Sequence, residues 1–512
     1  MFHDASACVV EDGEILFAGH AERYSRIKND PYLNKKLIAD ALKHGLPDVI
    51  VLHESSKLKN KRRLKQLTWS SIKAAFTEPT AEDWIRDFYP QLKGIPITNC
   101  LHHESHAAAG VLTSPYDNAV VMTIDAIGEF QTATIYRFET HRGGDSRLQL
   151  LHEVNYPNSL GLFYSAMTAK VGLKPMEDEY ILMGMAAYGN PKTYYDKINN
   201  ELFKHPDPNT NLHECLHTID LSKGLPKSFI SANILTDDME QTRFDLAASA
   251  QAVVEDRVLA FAKLAKTYVP TDNLVFMGGV ALNCVANSRL YDLFKNIHIM
   301  PNPGDAGSSL GAASMYYYST TNKKVNWVSP YLGYNIKGDW PKEQFLASLR
   351  KGEIFGVANG KAEFGPRALG NRSLFADPRG DTIKDRVNDI KRRQKFRPFA
   401  PIILEEYARD WFEMPGDNIE NPYMQFVAKC KKPDVVPAIV HGDGTSRVQT
   451  VNRFNHPELY HAMRQWYAES GCPIVLNTSL NIKGQPIVNT EKDAEEFAKH
   501  YGVPVHVRDS SR

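Results

Sequence analysis

The sequence predicts an α/β protein of two domains, and three observations carry that expectation. From residue 1 to about 320, β-rich runs alternate with helical ones, the pattern of strands feeding loops and helices. A polar, turn-rich stretch near residues 319–338 then interrupts the alternation, and fresh strands and helices follow it. The 512 residues are 43% hydrophobic and 23% charged, ordinary for a folded chain. At roughly 150 residues per domain such a length admits about two to four domains.

Taken in order, CVVEDGEILFAG reads as strand, YLNKKLIADALKHG as helix, and DNAVVMTIDAIGE as a strand that ends on Asp125. Residues 245–268 place apolar side chains at three- and four-residue spacing and read as one long amphipathic helix. It leads into a short buried strand, NLVFMGG, whose closing glycine pair lets backbone approach a ligand. Past the boundary, GEIFGVANG and GCPIVLNTSL read as strands and TEKDAEEFAKHYG as a helix. The expected domains are therefore residues 1–325 and 339–512.

The 60 basic and 60 acidic side chains cancel, which excludes a globally basic nucleic-acid coat and an acidic tail. No run approaches the ~18 apolar residues that span a bilayer, so no membrane partner is expected. The amino terminus MFHDASACVVEDGE lacks a secretory pattern. Six scattered cysteines without a CxxC pair argue against a zinc or disulfide framework and for a reducing cytoplasm. A metal site would have to use histidine and carboxylate.

Four constellations carry chemistry. In LHHESHAAAG, His102 and His106 share a face if the segment is helical, and two imidazoles at that spacing suit one divalent metal, with oxygen ligands such as Asp125 and Asp305 completing the shell. Spacing alone leaves packing or capping histidines equally open, with His103 the bystander. Three glycine-containing turns follow strands, DAIGE, MGGVALN and PGDAGSSLG, and their backbone N–H groups can cradle phosphate oxygens. They point to nucleotide binding outside the P-loop and Rossmann classes, with Gly128, Gly278, Gly279, Asn283 and Gly307 as candidate contacts; the competing reading is tight turns only.

The third constellation comprises GKAEFGPRALGNRSLFADPR, KRRQKFRPFAP, DGTSRVQTV and NTSLNIKGQPIV. Its Lys361, Arg367, Arg372, Lys391, Arg397 and Arg447 stand among turn-forming and apolar residues, which favours an anion pocket over a solvated basic face. The fourth is KLKNKRRLKQ at 57–66, six of whose ten residues are basic, followed by Trp69. It reads as a solvated helix face or as a nucleic-acid contact.

Together these motifs, with FHDASACVVEDGE, AERYSRIK, SLGLFYSAMTAKVGL and MGMAAYGNP, resemble in order the NodU/CmcH-type O-carbamoyltransferases along nearly the whole chain. The resemblance implies an actin/Hsp70-like ATPase-fold domain of two duplicated α/β subdomains, followed by a YrdC-like domain. It implies ATP and a divalent metal, Fe(II), as cofactors, with Mg2+ accompanying ATP, and it allows a homodimer. Carbamoyl phosphate would lose phosphate in the YrdC-like domain, and the carbamate would react with ATP to give carbamoyl adenylate, whose carbamoyl group passes to an acceptor hydroxyl. Because carbamate is unstable in water, fusing both activities in one chain has a physical reason.

Carried over residue by residue, the metal ligands would be His102, His106, Asp125 and Asp305, and the catalytic residues His3 and Lys28. The carbamoyl phosphate pocket would comprise Lys361, Arg367, Asn371, Arg372, Arg397, Arg447 and Asn477. The sequence departs from the family pattern at its start, which shortens or omits the first strand, at Ala126 in DAIGE, at Ile181 where lysine is common, and at Lys361 where arginine is common. The basic run inclines the acceptor toward the 5-hydroxymethyl group of a pyrimidine, hydroxymethylcytosine, in phage-type DNA or its nucleotide. Sugar or antibiotic hydroxyls and a tRNA threonylcarbamoyl-type reaction are the alternatives, and a nucleotide sensor without turnover is the non-enzymatic one.

Overall fold

Two separate cores form along this chain, one in residues 1–16 and 38–327, the other in residues 17–37 and 328–512. The structure is a computed structural model that describes residues 3–65, 73–74, 78–140, 147–203, 219, 221, 224–226, 229, 239–417 and 419–509. Trp69 and Cys215 lie outside the described residues.

The first unit is centred on a five-stranded mixed sheet. Its strands are β1 (Asn118–Ile124), β2 (Gln131–Glu139), β3 (Arg147–Asn155), β4 (Asn273–Met277) and β5 (Asn296–His298), in the order β3-β2-β1-β4-β5. β1 is antiparallel to β2, with Val121 opposite Tyr136, and parallel to β4, with Val121 beside Val275. Six of the seven β1 residues are buried, as a central strand covered by helices requires. Helices His102–Val111 and Glu240–Tyr268 pack on it. The long helix starts five residues before the expected Asp245. Ahead of this sheet, Ser6–Glu11 with Glu14–His20, and Ile50–Leu52 with Ile97–Asn99, form separate two-stranded sheets. These two pairs are not joined into one larger sheet among the described residues.

The second unit has a six-stranded sheet of β6 (Phe355–Ala358), β7 (Arg372–Ala376), β8 (Ala400–Leu404), β9 (Gln449–Val451), β10 (Ile474–Ser479) and β11 (Val505–His506), in the order β9-β8-β10-β7-β6-β11. Alternate residues feed two cores, as the two-residue strand period demands. Leu374, Ile403 and Leu476 join Phe497 of helix Glu491–Tyr501, whereas Phe375, Ile402 and Val475 join Met463 and Trp466 of helix Pro457–Ser470. Thr490 and Asp493 cap Glu491–Tyr501 reciprocally, and Gly502 ends it in the left-handed conformation.

Two features depart from the sequence reading. YLGYNI, placed in the polar boundary, is strand Tyr331–Ile336, antiparallel to Gly360–Glu363, because Leu332 and Ile336 are buried there. Residues 17–37, assigned to the first domain by a contiguous division at 325, belong to the second unit. The cause is local: Phe17, Ala18 and Ala21 are buried, Arg23 donates to the Gly365 carbonyl, and Arg26 donates to the carbonyls of Pro486 and Ile487.

Candidate active site

Helix His102–Val111 presents His102 and His106 one turn apart, and the loops that follow β1 and β5 deliver Asp125 and Asp305 to the same point. The two imidazole Nε2 atoms are 3.1 Å apart. Asp125 Oδ2 lies 3.0 Å from the first and 3.2 Å from the second, and Asp305 Oδ1 lies 3.5 and 3.4 Å away. All four donor atoms fall within 4.8 Å of one another. Two ring nitrogens facing each other among two carboxylate oxygens form a two-nitrogen, two-oxygen set, which fits a divalent transition metal better than a hydrogen-bonded core.

The charges of the cluster are balanced against one another. Burial disfavours the His102 and His106 imidazolium forms, but the Asp305 and Asp125 carboxylates outweigh it and raise both. Burial pushes Asp125 up, yet hydrogen bonds from the two imidazoles bring it well below the carboxylate range. His103 faces Thr123 instead, with Nδ1 2.7 Å from Oγ1, and burial with the neighbouring His102 charge lowers it to about 3.

His3 borders this cluster. Its Nε2 is 3.6 Å from Asp305 Oδ2, and its Nδ1 is 2.8 Å from Asp4. Burial lowers its pKa, but Asp305 and Asp4 overcome that and raise it to about 9. Lys28 lies in the second unit, 3.6 Å from Glu22.

The glycine turns are tight for reasons of packing as well as approach. Gly278 has φ +89°, and a Cβ there would lie 2.3 Å from the Ile124 carbonyl oxygen; at Gly307 it would lie 1.9 Å from that of Asn302. Gly279 N–H donates to Asp125 Oδ1 at 3.1 Å, so this turn orients a cluster carboxylate. Gly128 abuts the His102 side chain. Asn283 exchanges two hydrogen bonds with Gln251, at 2.9 and 3.0 Å, and accepts from Ala286 N, so its amide is engaged in the fold rather than turned to a ligand.

Glu129 is a residue that sequence reasoning passed over. Its carboxylate accepts from the backbone N–H of His102, at the start of the helix that carries the cluster, and from that of Ser55, just ahead of helix Ser56–Lys65. The signal was the last letter of IDAIGE, an acid able to cap a helix start distant in sequence. The basic run forms helix Ser56–Lys65, but three of its charges are spent internally: Lys59 on Glu54, Arg62 on the Gly128 carbonyl and Arg63 on Glu78. Lys57, Lys61 and Lys65 remain exposed.

In the second unit the candidate pocket residues divide. Arg372 is fully buried and spends every N–H on backbone carbonyls, those of Asn489, Asn359, Asn371, Tyr334 and Gly360. That corrects its expected role: no donor is left for an anion, and the residue is structural. Lys391 is likewise buried, bonded to Ser479 and Asn481. Arg397 and Arg447 are half-buried among like charges. Burial, Arg393 and Arg397 depress Lys391, while burial drives His441 to about 4 and Arg447, Lys384 and Arg393 deepen that shift against Asp443. Such a concentration of positive charge suits a multiply charged anion. Lys361 is exposed on its strand, and Arg367 is half-buried on the turn 364–370. Asn371 bridges the Lys361 carbonyl and His456, and Asn477 donates to the Ala368 carbonyl and Gln449.

Comparison with known proteins places this geometry. The profile described as Carbamoyltransferase N-terminus matches residues 91–314, and that described as Carbamoyltransferase C-terminus matches residues 346–509. An uncharacterised Synechocystis protein is 32% identical, covering 96% of this chain and 92% of its own. The nodulation protein NolNO of Sinorhizobium fredii is 31% identical, covering 96% of this chain and 76% of its own. The chain belongs to the NodU/CmcH-type carbamoyltransferase family. A 3'-hydroxymethylcephem-O-carbamoyltransferase of Amycolatopsis lactamdurans is 27% identical over 98% of this chain and 95% of its own. The protein is thus an enzyme, an O-carbamoyltransferase of mixed α/β fold. In this carbamoyltransferase, both the histidine-carboxylate cluster and most of the positive concentration fall inside the two matched regions.

Proposed function

We propose that this carbamoyltransferase uses carbamoyl phosphate and ATP to carbamoylate an acceptor hydroxyl through carbamate and carbamoyl adenylate. The convergence of His102, His106, Asp125 and Asp305 beside His3 carries the reading. Water first cleaves carbamoyl phosphate to carbamate and phosphate. A carbamate oxygen then attacks the α-phosphorus of ATP and pyrophosphate leaves. Finally the acceptor oxygen attacks the carbamoyl carbon, AMP leaves, and the hydroxyl proton passes to a base.

The residues divide among these steps. Residues 339–512, which we read as a YrdC-like domain, would take the dianion on Arg397, Arg447, Arg367 and Lys361. Residues 1–325, read as the actin/Hsp70-like transfer domain, would take ATP against the turns at Gly128, Gly278, Gly279 and Gly307, whose support is their position at strand ends around Asp125. His102, His106, Asp125 and Asp305 would hold Fe(II), which would supply Lewis-acid polarisation of a carbonyl or phosphate oxygen and would offset the Asp305 charge that faces His3. His3 would then be the base.

The acceptor we infer is a hydroxymethyl group, with a hydroxymethylpyrimidine in DNA or its nucleotide as the first candidate. Its support is the exposed lysine row Lys57, Lys61 and Lys65, since Arg62 and Arg63 are engaged within the fold. Incubating the enzyme with ATP, carbamoyl phosphate and a panel of hydroxymethylated DNA, nucleotides, sugars and cephems tests the whole scheme. Each acceptor should gain about 43 Da per modified hydroxyl, with one AMP and one pyrophosphate formed. Carbamoylation without ATP would refute the adenylate.

A further inference from the structure

An imidazole that binds a metal is ordinarily oriented by a hydrogen bond at its other ring nitrogen. His106 has such a neighbour: its Nε2 faces the cluster, and its Nδ1 lies 3.4 Å from the Ser308 hydroxyl. His102 does not. Its Nε2 faces the same two carboxylates, but its Nδ1 has no hydrogen-bond partner among the described residues. The residue is 3% exposed, so its orientation is set by the protein around it.

The loop that follows β1 does the surrounding. Glu129 Oε1 and Oε2 lie 3.2 and 3.1 Å from the His102 backbone nitrogen, and Oε1 also accepts from the Ser55 N–H at 2.8 Å. Gly128 lies against the side chain: a Cβ there would stand 3.0 Å from Cβ and Cδ2 of His102 and 3.0 Å from Cδ2 of His103. The Gly128 carbonyl in turn accepts from Arg62. The same loop begins at Asp125, whose Oδ2 is 3.0 Å from His102 Nε2. Glu129 is itself only 4% exposed, and all these residues lie in the first unit. The N–H that Glu129 holds is on the atom next to the Cα that bears the ring, so a shift there carries Nε2 with it.

We propose that Glu129 is a positioning residue for the metal ligand His102: acting through the backbone, it replaces the outer hydrogen bond that this imidazole lacks. This rests on reading His102, His106, Asp125 and Asp305 as metal ligands, and adds what fixes the geometry of one of them. A carboxylate at a helix start also stabilises the helix as a cap, whatever the helix carries. The two roles differ in what they predict: a cap acts on folding stability alone, whereas a positioning residue acts on metal affinity and ligand geometry in the folded chain.

The test titrates the metal-free full-length enzyme with Co(II), whose visible absorption reports the arrangement of its ligands, and records the thermal midpoint beside it. Glu129→Ala should weaken Co(II) binding by about tenfold or more and alter the absorption at saturation. Glu129→Gln keeps a carbonyl oxygen for both N–H groups and should stay within about threefold of the wild type, with its spectrum. Glu129→Asp is one methylene too short to hold both N–H groups and should follow Glu129→Ala; it serves if the alanine variant does not fold. A Glu129→Ala or Glu129→Asp enzyme with a lowered midpoint but wild-type Co(II) affinity and spectrum overturns the inference and leaves Glu129 a cap. Glu129→Gln as weak as Glu129→Ala also overturns it, because charge rather than hydrogen bonding would then sustain the site. A wild type that binds no Co(II), or binds it no better than His106→Ala does, overturns the metal reading as well.

Discussion

Arg372 and Arg397 stand 25 positions apart in one basic constellation, yet their environments oppose each other. Arg372 is sealed with five carbonyl partners, and Arg397 is half-buried among like charges. Replacing Arg372 by Met leaves those carbonyls unpaired and should cost about 3–5 kcal/mol in urea unfolding. Arg397→Met should change stability little and weaken carbamoyl phosphate binding by about tenfold in calorimetry. Equal stability losses in both variants would erase the distinction. At the cluster, His106→Ala removes one of four converging donors, so under the proposed metal site the bound-metal content by elemental analysis should fall to a small fraction of the wild type's. His3→Asn should slow transfer strongly while bound-metal content holds, and an unchanged transfer rate would remove His3 from the chemistry.

Among the elements, helix His102–Val111 was legible because i and i+4 share a face, and β1 because an apolar run ending in Asp is plain in the sequence. The burial of Arg372 was not, since its partners come from residues 334, 359, 360, 371 and 489, and only the fold brings them together. The same holds for the basic helix, whose inward charges meet Glu54, Glu78 and the Gly128 carbonyl. Its outward lysines give a sharp expectation: reversing Lys57 and Lys61 to Glu should leave the thermal midpoint within about 2 °C. If DNA is the acceptor, that double variant should weaken DNA binding and flatten its salt dependence by about two phosphate contacts. No change in either would discard DNA as the acceptor.

For the whole molecule, acid sensitivity can be placed in both units. His298, beside Thr113, Tyr116 and Lys324, is lowered to about 4 by burial and then by Lys324; His441, beside Arg447, Lys384, Arg393 and Asp443, falls equally. A depressed imidazole favours the folded chain above its ordinary value of about 6.5. Below that, the unfolded chain binds the proton first, so stability falls with pH down to about 4. The slope should be at most about 1.4 kcal/mol per pH unit per histidine. Denaturant titrations from about pH 7 to about pH 4 should show this loss, and His298→Gln should remove part of it.

Residues 17–37 pack with the second unit although about 290 residues separate them from the rest of it. The enzyme is therefore not two beads on a string. A fragment starting at residue 328 would lack Phe17, Ala18 and Ala21, buried residues of the same unit, and the Arg26 bonds to the carbonyls of Pro486 and Ile487. Swapping this half between relatives, or expressing it alone, requires grafting that amino-terminal ribbon along with it.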